Sequence, residues 1–395
     1  MKRQSKNREA DQLRLALRDA KRMVVKIGSR VLVHSNGRPD ERRLRALTEG
    51  VCALHRAGRE VAVVTSGAVG AGMETLGLRT RPNNVPDLQM AAAVGQSRLM
   101  AHYDRLFGEQ GVHVGQVLLT HDGLKHRERH LNARHTLLNL LRHRIVPIIN
   151  ENDAVAVEEI RFGDNDLLAA LVSLLIGADV LILLTTVNGL RAPAGSGGLR
   201  RRIPWLPEIT AEALALASGK GSALSTGGMA SKLQSAKIAV DVGVPVVIAD
   251  GRQAGVLQEI LEGLDRGTLI GREAAGPTAS LSNRQRWIAF FHKCDGTLTV
   301  DDGARRALIE QGKSLLPIGI RSVEGSFGPG AVVNVRDGEG CLLARGQTAY
   351  GSDAIRRIQG RKTAEIAALL GSKDYDEVIH RDNLALLTES KEARE

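Results

Sequence analysis

Two short clusters of Asn and Asp side chains carry the most distinctive polar chemistry of this chain. The run Asn-Glu-Asn-Asp at 150–153 follows the apolar run 145–149, and the run Gly-Asp-Asn-Asp at 163–166 precedes the apolar run 167–176. The first pattern is typical of a buried parallel strand that delivers its carboxyl end to a ligand. The second is typical of a helix start, where Asp and Asn cap free backbone N–H groups. Either cluster alone fits an ordinary strand end or cap, but the two together favour a site for a polar ligand.

A lysine inside a predicted strand indicates anion binding nearby. Lys26 interrupts the apolar run 23–27, and Gly28 and Ser29 follow at once. A glycine at that point lets backbone N–H groups approach an anion closely. The alternative is an edge lysine whose ammonium group reaches water. The segment lacks the phosphate-binding pattern G-x-x-x-x-G-K, so alone it is a weak signal.

Two helix starts rich in small residues offer further anion sites. The run Ser-Gly-Ala at 66–68 follows the apolar run 60–64, and a helix start there offers a hydroxyl and backbone amides to a carboxylate or phosphate. Close helix packing is an equally good reason for these small residues, and no G-x-S-x-G elbow surrounds Ser66. The run Thr-Gly-Gly-Met-Ala-Ser-Lys at 226–232 opens another predicted helix and brings Lys232 into its first turns. The alternative for this run is an ordinary capped surface helix.

The elements that must position these residues alternate between buried strands and helices. This order favours an α/β sandwich of three layers around a mainly parallel sheet. The predicted strands are 23–27, 60–64, 113–119, 145–149, 180–184 and 244–249, and the predicted helices are 40–57, 87–110, 123–144, 167–176 and 226–242.

The sequence pattern changes after residue 271. The run Ala-Ala-Gly-Pro-Thr at 274–278 reads as a linker, and short alternating strands punctuated by Gly follow it. Such strands predict a small domain resembling a β-barrel. We therefore expect a basic N-terminal arm at 1–22, either weakly amphipathic or disordered, a main domain at 23–274 and a small domain at 275–395. The predicted strands of the small domain are 298–300, 319–323, 331–335 and 342–347.

Composition limits the classes of function. The net charge is +10, but residues 1–22 hold eight Lys and Arg against three Asp and Glu, and residues 275–395 hold 17 against 16. The small domain is therefore nearly neutral, and we expect no tight RNA binding there. Three widely spaced cysteines predict neither a disulfide framework nor a zinc site and suit a reducing cytoplasm. Without a long apolar run, we expect no membrane contact.

The motifs together resemble one known family. Val-Lys-Ile-Gly-Ser (25–29), Val-Thr-Ser-Gly-Ala (64–68), Ala-Ala-Val-Gly-Gln-Ser-Arg (92–98), Asn-Glu-Asn-Asp-Ala-Val (150–155), Gly-Asp-Asn-Asp (163–166) and Thr-Gly-Gly-Met (226–229) are similar to motifs of the glutamate 5-kinases, within the amino acid kinase family. Segments 283–287, 312–319 and 352–357 are similar to its C-terminal PUA domain. The resemblance covers about residues 23–384.

The resemblance implies an ATP- and Mg²⁺-dependent enzyme that phosphorylates the side-chain carboxylate of L-glutamate. It implies the amino acid kinase fold, feedback inhibition by proline and a homo-oligomer, either a dimer or a tetramer. Catalytic roles fall on Lys26, Lys232, Asp164 and Asp166, and no dedicated metal ligands are assigned. Glutamate contacts fall on Ser66, Gly67, Ala68, Asn150, Asp153 and Asn165. ATP contacts fall on Lys26, Gly28, Thr185, Thr186, Thr226, Gly227, Gly228, Met229, Ala230, Ser231 and Lys232. Thr186 stands where the family commonly has Asp.

The residue types agree with such chemistry. The side-chain carboxylate of glutamate is already ionised at neutral pH, so phosphoryl transfer to it needs no general base. It needs cations and helix N-termini that bring several anionic groups together. The alternatives are another amino acid kinase, an RNA-binding PUA protein, and a regulatory pseudokinase suggested by Thr186.

Overall fold

The computed structural model of the chain describes residues 2–33, 40–156, 165–192, 201–217, 228–272, 282–291, 294–372 and 375–387. It divides into two compact units, Met1–Glu273 and Ala274–Glu395. Among the helices it describes, none combines the length and apolarity needed to cross a bilayer.

The first unit is built on an eight-stranded sheet. Its strands are β1 (Arg22–Ile27), β2 (Glu60–Val64), β3 (Val114–Leu119), β4 (Val146–Glu151), β5 (Val180–Thr185), β6 (Trp205–Leu206), β7 (Val246–Asp250) and β8 (Thr268–Ile270). Their order is β3-β4-β2-β1-β5-β7-β8-β6, and the six from β3 to β7 in that order run parallel, whereas β8 runs antiparallel to β7. The carboxyl ends of β1, β2, β4 and β5 therefore meet at one edge, where α/β folds bind ligands.

Helices cover both faces of this sheet. They are α1 (Lys2–Ala16), α2 (Glu41–Arg56), α3 (Ala68–Thr75), α4 (Val85–Gly108), α5 (His121–Lys125), α6 (Arg127–Arg142), α7 (Asn165–Ile176), α8 (Ala211–Ala217), α9 (Met229–Val240) and α10 (Val256–Leu261). Met23, Val25 and Ile27 of β1 share one core with α2, α4 and α10. Side chains alternate along a strand, so Lys26 points to the opposite layer, which contains α7 and α9.

Helix α7 is an interior helix. Every residue of it except Leu167 is buried. A helix that is apolar on all sides must be packed on all sides, and α7 packs against β1, α6 and α9. Because Asp166 lies in its first turn, the fold carries that carboxylate into the interior.

The N-terminal segment belongs to the first unit, although the sequence set it apart as an arm. The guanidinium group of Arg14 donates to the backbone carbonyls of Pro204, Leu264 and Arg266 at 2.8–3.3 Å and pairs with Asp265 at 2.7 Å. Spacings of four and three place three apolar side chains on one side of the segment, which explains why it docks. These buried residues are Leu13, Leu17 and Ala20.

Most predicted elements of this unit lie within two or three residues of the observed ones. The helix predicted at 123–144 is wrong as a single element, because it is the pair α5 and α6. Thr120 caps α5 by accepting from the backbone N–H of Gly123 at 2.9 Å. His126 then adopts an extended conformation, with φ −78° and ψ 120°, and this conformation interrupts the helical hydrogen bonds.

The second unit has its own sheet and core. Its strands β9 (Gly296–Val300), β10 (Ile320–Glu324), β11 (Val332–Arg336), β12 (Leu342–Gln347) and β13 (Leu384–Leu386) lie in the order β10-β9-β11-β12-β13. β9 and β11 are parallel and the other neighbours are antiparallel. Its helices are α11 (Asn283–Phe290), α12 (Asp302–Ile309), α13 (Ser352–Ile358) and α14 (Ile366–Leu370).

Candidate active site

Two buried lysines share one buried aspartate at the carboxyl edge of the sheet. The Nζ atom of Lys26 lies 2.6 Å from Oδ1 of Asp166, and the Nζ atom of Lys232 lies 2.8 Å from Oδ2 of the same carboxylate. The side chains are 7%, 6% and 0% exposed for Lys26, Lys232 and Asp166. We call these three residues the lysine–aspartate triad.

The triad joins two cationic side chains to one carboxylate. Burial by itself would raise the pKa of Asp166, but the two ammonium groups outweigh burial and hold this pKa below its ordinary value. The carboxylate is therefore ionised at neutral pH, and two positive charges face one negative charge. Lys26 and Lys232 also lie on the cavity wall, where two ammonium groups side by side are suited to a phosphate group.

A network of neutral amides and a hydroxyl lies beside the triad. The Nδ2 atom of Asn165 lies 2.8 Å from the Thr65 backbone carbonyl oxygen and 2.9 Å from both Ser66 Oγ and Asn150 Oδ1, so its two protons are shared among three acceptors. Asn150 Oδ1 also accepts from the backbone N–H of Glu151 at 3.0 Å. We call Ser66, Asn150 and Asn165 the amide network. Its members come from the ends of β2 and β4 and the start of α7, so the sheet edge assembles it.

The turn between β2 and α3 needs a glycine. Gly67 has φ +110°, in the left-handed region that a residue with a Cβ rarely adopts. This turn directs the first backbone N–H groups of α3 toward the same edge, where they favour a carboxylate or phosphate.

Triad and network adjoin one cavity of about 730 Å³. Of the residues predicted from the sequence, its wall includes Lys26, Gly28, Ser66, Gly67, Ala68, Asp153, Asn165, Thr185, Thr186 and Lys232. Among the described residues, Asp166 lies beneath the lysines and Asn150 behind Asn165 rather than on the wall. Gly228, Met229, Ala230 and Ser231 lie at the start of α9, and the wall does not include them. Asp164, Thr226 and Gly227 lie outside the described residues.

Sequence reasoning assigned no role to two residues of this site. Glu151 is buried and lies on the cavity wall. Gln96 of α4 accepts from Asn150 Nδ2 at 2.8 Å through its Oε1 atom. The signal for Gln96 was its spacing, because Gln89, Gln96 and Tyr103 recur every seven residues and therefore share one face of α4.

Comparison with known proteins agrees with this arrangement. Residues 21–250 match the amino acid kinase family, and residues 296–370 match the PUA domain. The glutamate 5-kinase of Moorella thermoacetica is 50% identical over 376 residues, which cover 95% of this chain and 98% of that protein. The glutamate 5-kinases of Myxococcus xanthus and Syntrophus aciditrophicus are each 46% identical, covering 95% and 96% of this chain and 98% and 97% of those proteins. The chain belongs to the amino acid kinase family and, within it, to the glutamate 5-kinases.

Proposed function

We propose that this chain transfers the γ-phosphoryl group of ATP to the side-chain carboxylate of L-glutamate. The product is L-glutamyl 5-phosphate, formed in the first step of proline biosynthesis. The observation that carries the proposal is the lysine–aspartate triad, which lies beside the amide network on one cavity. The triad suits the phosphates, and the network suits a carboxylate acceptor.

The mechanism needs attraction and alignment rather than proton transfer. Glutamate brings an ionised carboxylate, whose ordinary pKa is about 4.3, so the nucleophile needs no base. Lys26 and Lys232 offset the repulsion between that carboxylate and the phosphates, and they stabilise the charge that moves during transfer. Asp166 holds both ammonium groups at fixed positions before substrate arrives. Because this arrangement already exists, little reorganisation is needed at the moment of reaction.

The residues of this site are also compatible with a Mg²⁺ ion that is bound through the phosphates of ATP. In the part of the chain that the structure describes, no group of three or more His, Cys, Asp or Glu side chains is placed to hold a metal ion. Mg²⁺ keeps several waters and is commonly bound through substrate phosphates and one or two carboxylates, so it needs no such protein cage. The resemblance assigns Asp166 to its surroundings. When bound, Mg²⁺ neutralises charge on the phosphate oxygens.

A coupled assay of ADP release tests the proposal. The purified chain is given ATP, Mg²⁺ and one acceptor at a time, with glutamate, aspartate and carbamate compared at equal concentrations. We expect turnover with glutamate to exceed turnover with the other two by at least about tenfold. Equal or greater turnover with aspartate or carbamate would assign the chain to another reaction of the family. No turnover with any acceptor would favour a regulatory role.

We also propose that L-proline inhibits by competing with glutamate. Proline shares the ammonium and α-carboxylate of glutamate but has no side-chain carboxylate to phosphorylate. A pocket in which Asp153 holds the ammonium group accepts both. At fixed ATP, proline should therefore raise the KM for glutamate and leave the maximal rate unchanged. A lowered maximal rate with an unchanged KM would require a separate proline site.

The organisation of the whole protein yields three further proposals. The kinase domain folds without the PUA domain, so fragment 1–273 should unfold cooperatively and bind ATP.

The PUA domain binds RNA weakly at physiological salt, since its net charge is small. The enzyme is a cytoplasmic dimer or tetramer. Light scattering at assay concentration tests the assembly, and a monomer would contradict it.

A further inference from the structure

One face of α4 ties that helix to the site through three polar side chains. Gln89 Nε2 donates to the Ala156 carbonyl at 3.2 Å, and the Tyr103 hydroxyl lies 2.7 Å from Thr65 Oγ1. Gln96 lies between them, seven residues from each, and it alone of the three contacts the amide network. Gln89 and Tyr103 therefore fix the position of the helix, whereas Gln96 contacts the amide network.

The direction of every hydrogen bond in the network follows from backbone atoms. A backbone N–H can only donate, so the Asn150 atom facing the Glu151 N–H must be Oδ1. Its other terminal atom is then Nδ2, which donates, and the Gln96 atom it meets must be Oε1. Gln96 thus holds the nitrogen side of the Asn150 amide while the backbone holds the oxygen side.

The same logic reaches the cavity. A backbone carbonyl can only accept, so the Asn165 atom facing the Thr65 carbonyl must be Nδ2. That nitrogen also faces Ser66 Oγ, and an amide nitrogen cannot accept the hydroxyl proton of Ser66. The hydroxyl proton of Ser66 remains available to donate, and Ser66 lies on the cavity wall. A hydroxyl that is available as a donor at this position can bind a carboxylate.

The backbone around Gln96 is held closely. A Cβ atom on Gly95 would come within 1.8 Å of the Ala68 carbonyl oxygen, and one on Gly72 within 1.7 Å of the Ala91 carbonyl oxygen. Helices α3 and α4 therefore touch backbone to backbone, which fixes Gln96 relative to the start of α3. Gln96 Nε2 is buried and has no hydrogen-bond partner among the described residues. A buried donor without a partner disfavours folding, so stability alone does not account for this amide.

We propose that Gln96 is a positioning residue for the substrate carboxylate, acting through Asn150 and Asn165 on Ser66. The proposal rests on the proposed function for its substrate, glutamate. Without Gln96 the Asn150 amide keeps its bonds at Oδ1 but loses the acceptor of its nitrogen side, so Asn150 is held less firmly and the contact of Asn165 with Ser66 is less well defined. We expect the binding of glutamate to weaken and the binding of ATP to stay unchanged, because Gln96 is not part of the lysine–aspartate triad that we assign to the phosphates.

Steady-state kinetics on the full chain test this with the variant Gln96→Met and the control Gln89→Met. Both replace a half-buried Gln on one face of α4 with an unbranched side chain, but the Gln89 bond lies outside the network. For Gln96→Met we expect the KM for glutamate to rise about tenfold, with the KM for ATP within about twofold of wild type. The control should match wild type in both. Tm should change little for Gln96→Met, because one buried donor without a partner replaces another.

A double-mutant comparison and a spectroscopic measurement separate this role from a merely structural one. In a Ser66→Ala background, Gln96→Met should add little further loss, since the last member of the relay is already missing. With selective ¹⁵N-asparagine labelling, the side-chain amide signals of Asn150 and Asn165 should shift in Gln96→Met and stay in place in Gln89→Met.

Three results would overturn the inference. These are parallel loss for glutamate and ATP with a lowered Tm, full additivity with Ser66→Ala, or unshifted asparagine amide signals. The spectra need no turnover. If wild-type enzyme fails to phosphorylate glutamate, the proposed function is wrong, and the amide signals still decide whether the relay exists.

Discussion

The lysine–aspartate triad and the amide network offer a ligand two different kinds of interaction. In the proposed mechanism the lysine–aspartate triad uses buried full charges, and attraction between full charges depends little on direction. The amide network is neutral, and its bonds work only when each donor meets an acceptor. A kinase for a small anionic acceptor needs both. Charge overcomes the repulsion between anions, and directional bonds place the one carboxylate that reacts.

The largest effect is expected when the carboxylate of Asp166, which Lys26 and Lys232 share, is removed. Asp166→Asn removes the carboxylate that both buried ammonium groups contact. We expect a loss of about 3–5 kcal/mol in the free energy of unfolding, as for other broken buried pairs, and turnover lowered at least about a thousandfold. Denaturant titration and the coupled assay measure the two effects. The control Asp241→Asn breaks an exposed 3.1 Å pair with Lys237 on α9 and should cost under about 1 kcal/mol.

The stabilisation that Asp166 provides should decrease in acid. The pKa of Asp166 is lower in the folded protein than its ordinary value of 3.8, since the two lysines outweigh the effect of burial. The stabilisation is therefore fully present above the ordinary pKa and is lost as the pH falls through the folded-state pKa. The stability difference between wild type and Asp166→Asn should shrink below about pH 4. A difference that grows in acid would contradict this assignment.

Removing one positive charge should have the next largest effect. Lys26→Ala and Lys232→Ala should each lower kcat by on the order of a hundredfold, because the lost charge acts most strongly on the transition state. Lys237→Ala, an exposed lysine on the same helix as Lys232, is the matched control and should leave kcat unchanged. Near-normal turnover in either test variant would remove that lysine from catalysis.

A neutral substitution in the amide network should give a smaller and more selective effect. Ser66→Ala removes one donor for the substrate carboxylate, and we expect the KM for glutamate to rise about tenfold with the KM for ATP unaltered. Ser173→Ala is the control, since that buried hydroxyl makes a local bond within α7 to the Ala170 carbonyl. An equal change in both KM values after Ser66→Ala would mean that the amide network does not act on glutamate alone.

The smallest expected effect is at Thr186. It lies on the cavity wall just beyond β5, which pairs with β1. Thr186→Asp should change the KM for ATP a few-fold and leave kcat and the KM for glutamate alone, as expected for binding that is equal in ground and transition states. A change confined to the KM for glutamate would mean that Thr186 contacts glutamate rather than ATP.

Local sequence patterns predicted the strands and helices but not how their ends converge. The apolar runs of β1, β2 and β4 are visible without a structure, because alternation and length identify buried strands. The sharing of Asp166 by Lys26 and Lys232 is not visible. It joins residues 66 and 140 positions apart, and no periodicity reports such a distance. Strands β6 and β8 were missed because two and three residues are too short to form a pattern.

Gln96 illustrates a different failure. The sequence predicted a helix at 87–110 and quoted the motif at 92–98 without giving Gln96 a role, whereas the positions of Gln89, Gln96 and Tyr103 record where the helix meets the site. A polar residue that recurs every seven positions on an otherwise buried face is a usable signal. The partner of each such residue still requires coordinates.

The docked N-terminal helix has a practical consequence for anyone who produces this protein. A basic segment of about twenty residues before the first strand invites removal as a tail. Its removal would expose the core positions now covered by Leu13 and Leu17 and would leave three backbone carbonyls and Asp265 without the Arg14 guanidinium. Affinity tags therefore belong ahead of residue 1. A protease that clips the chain before β1 would shorten the lifetime of the enzyme rather than trim it harmlessly.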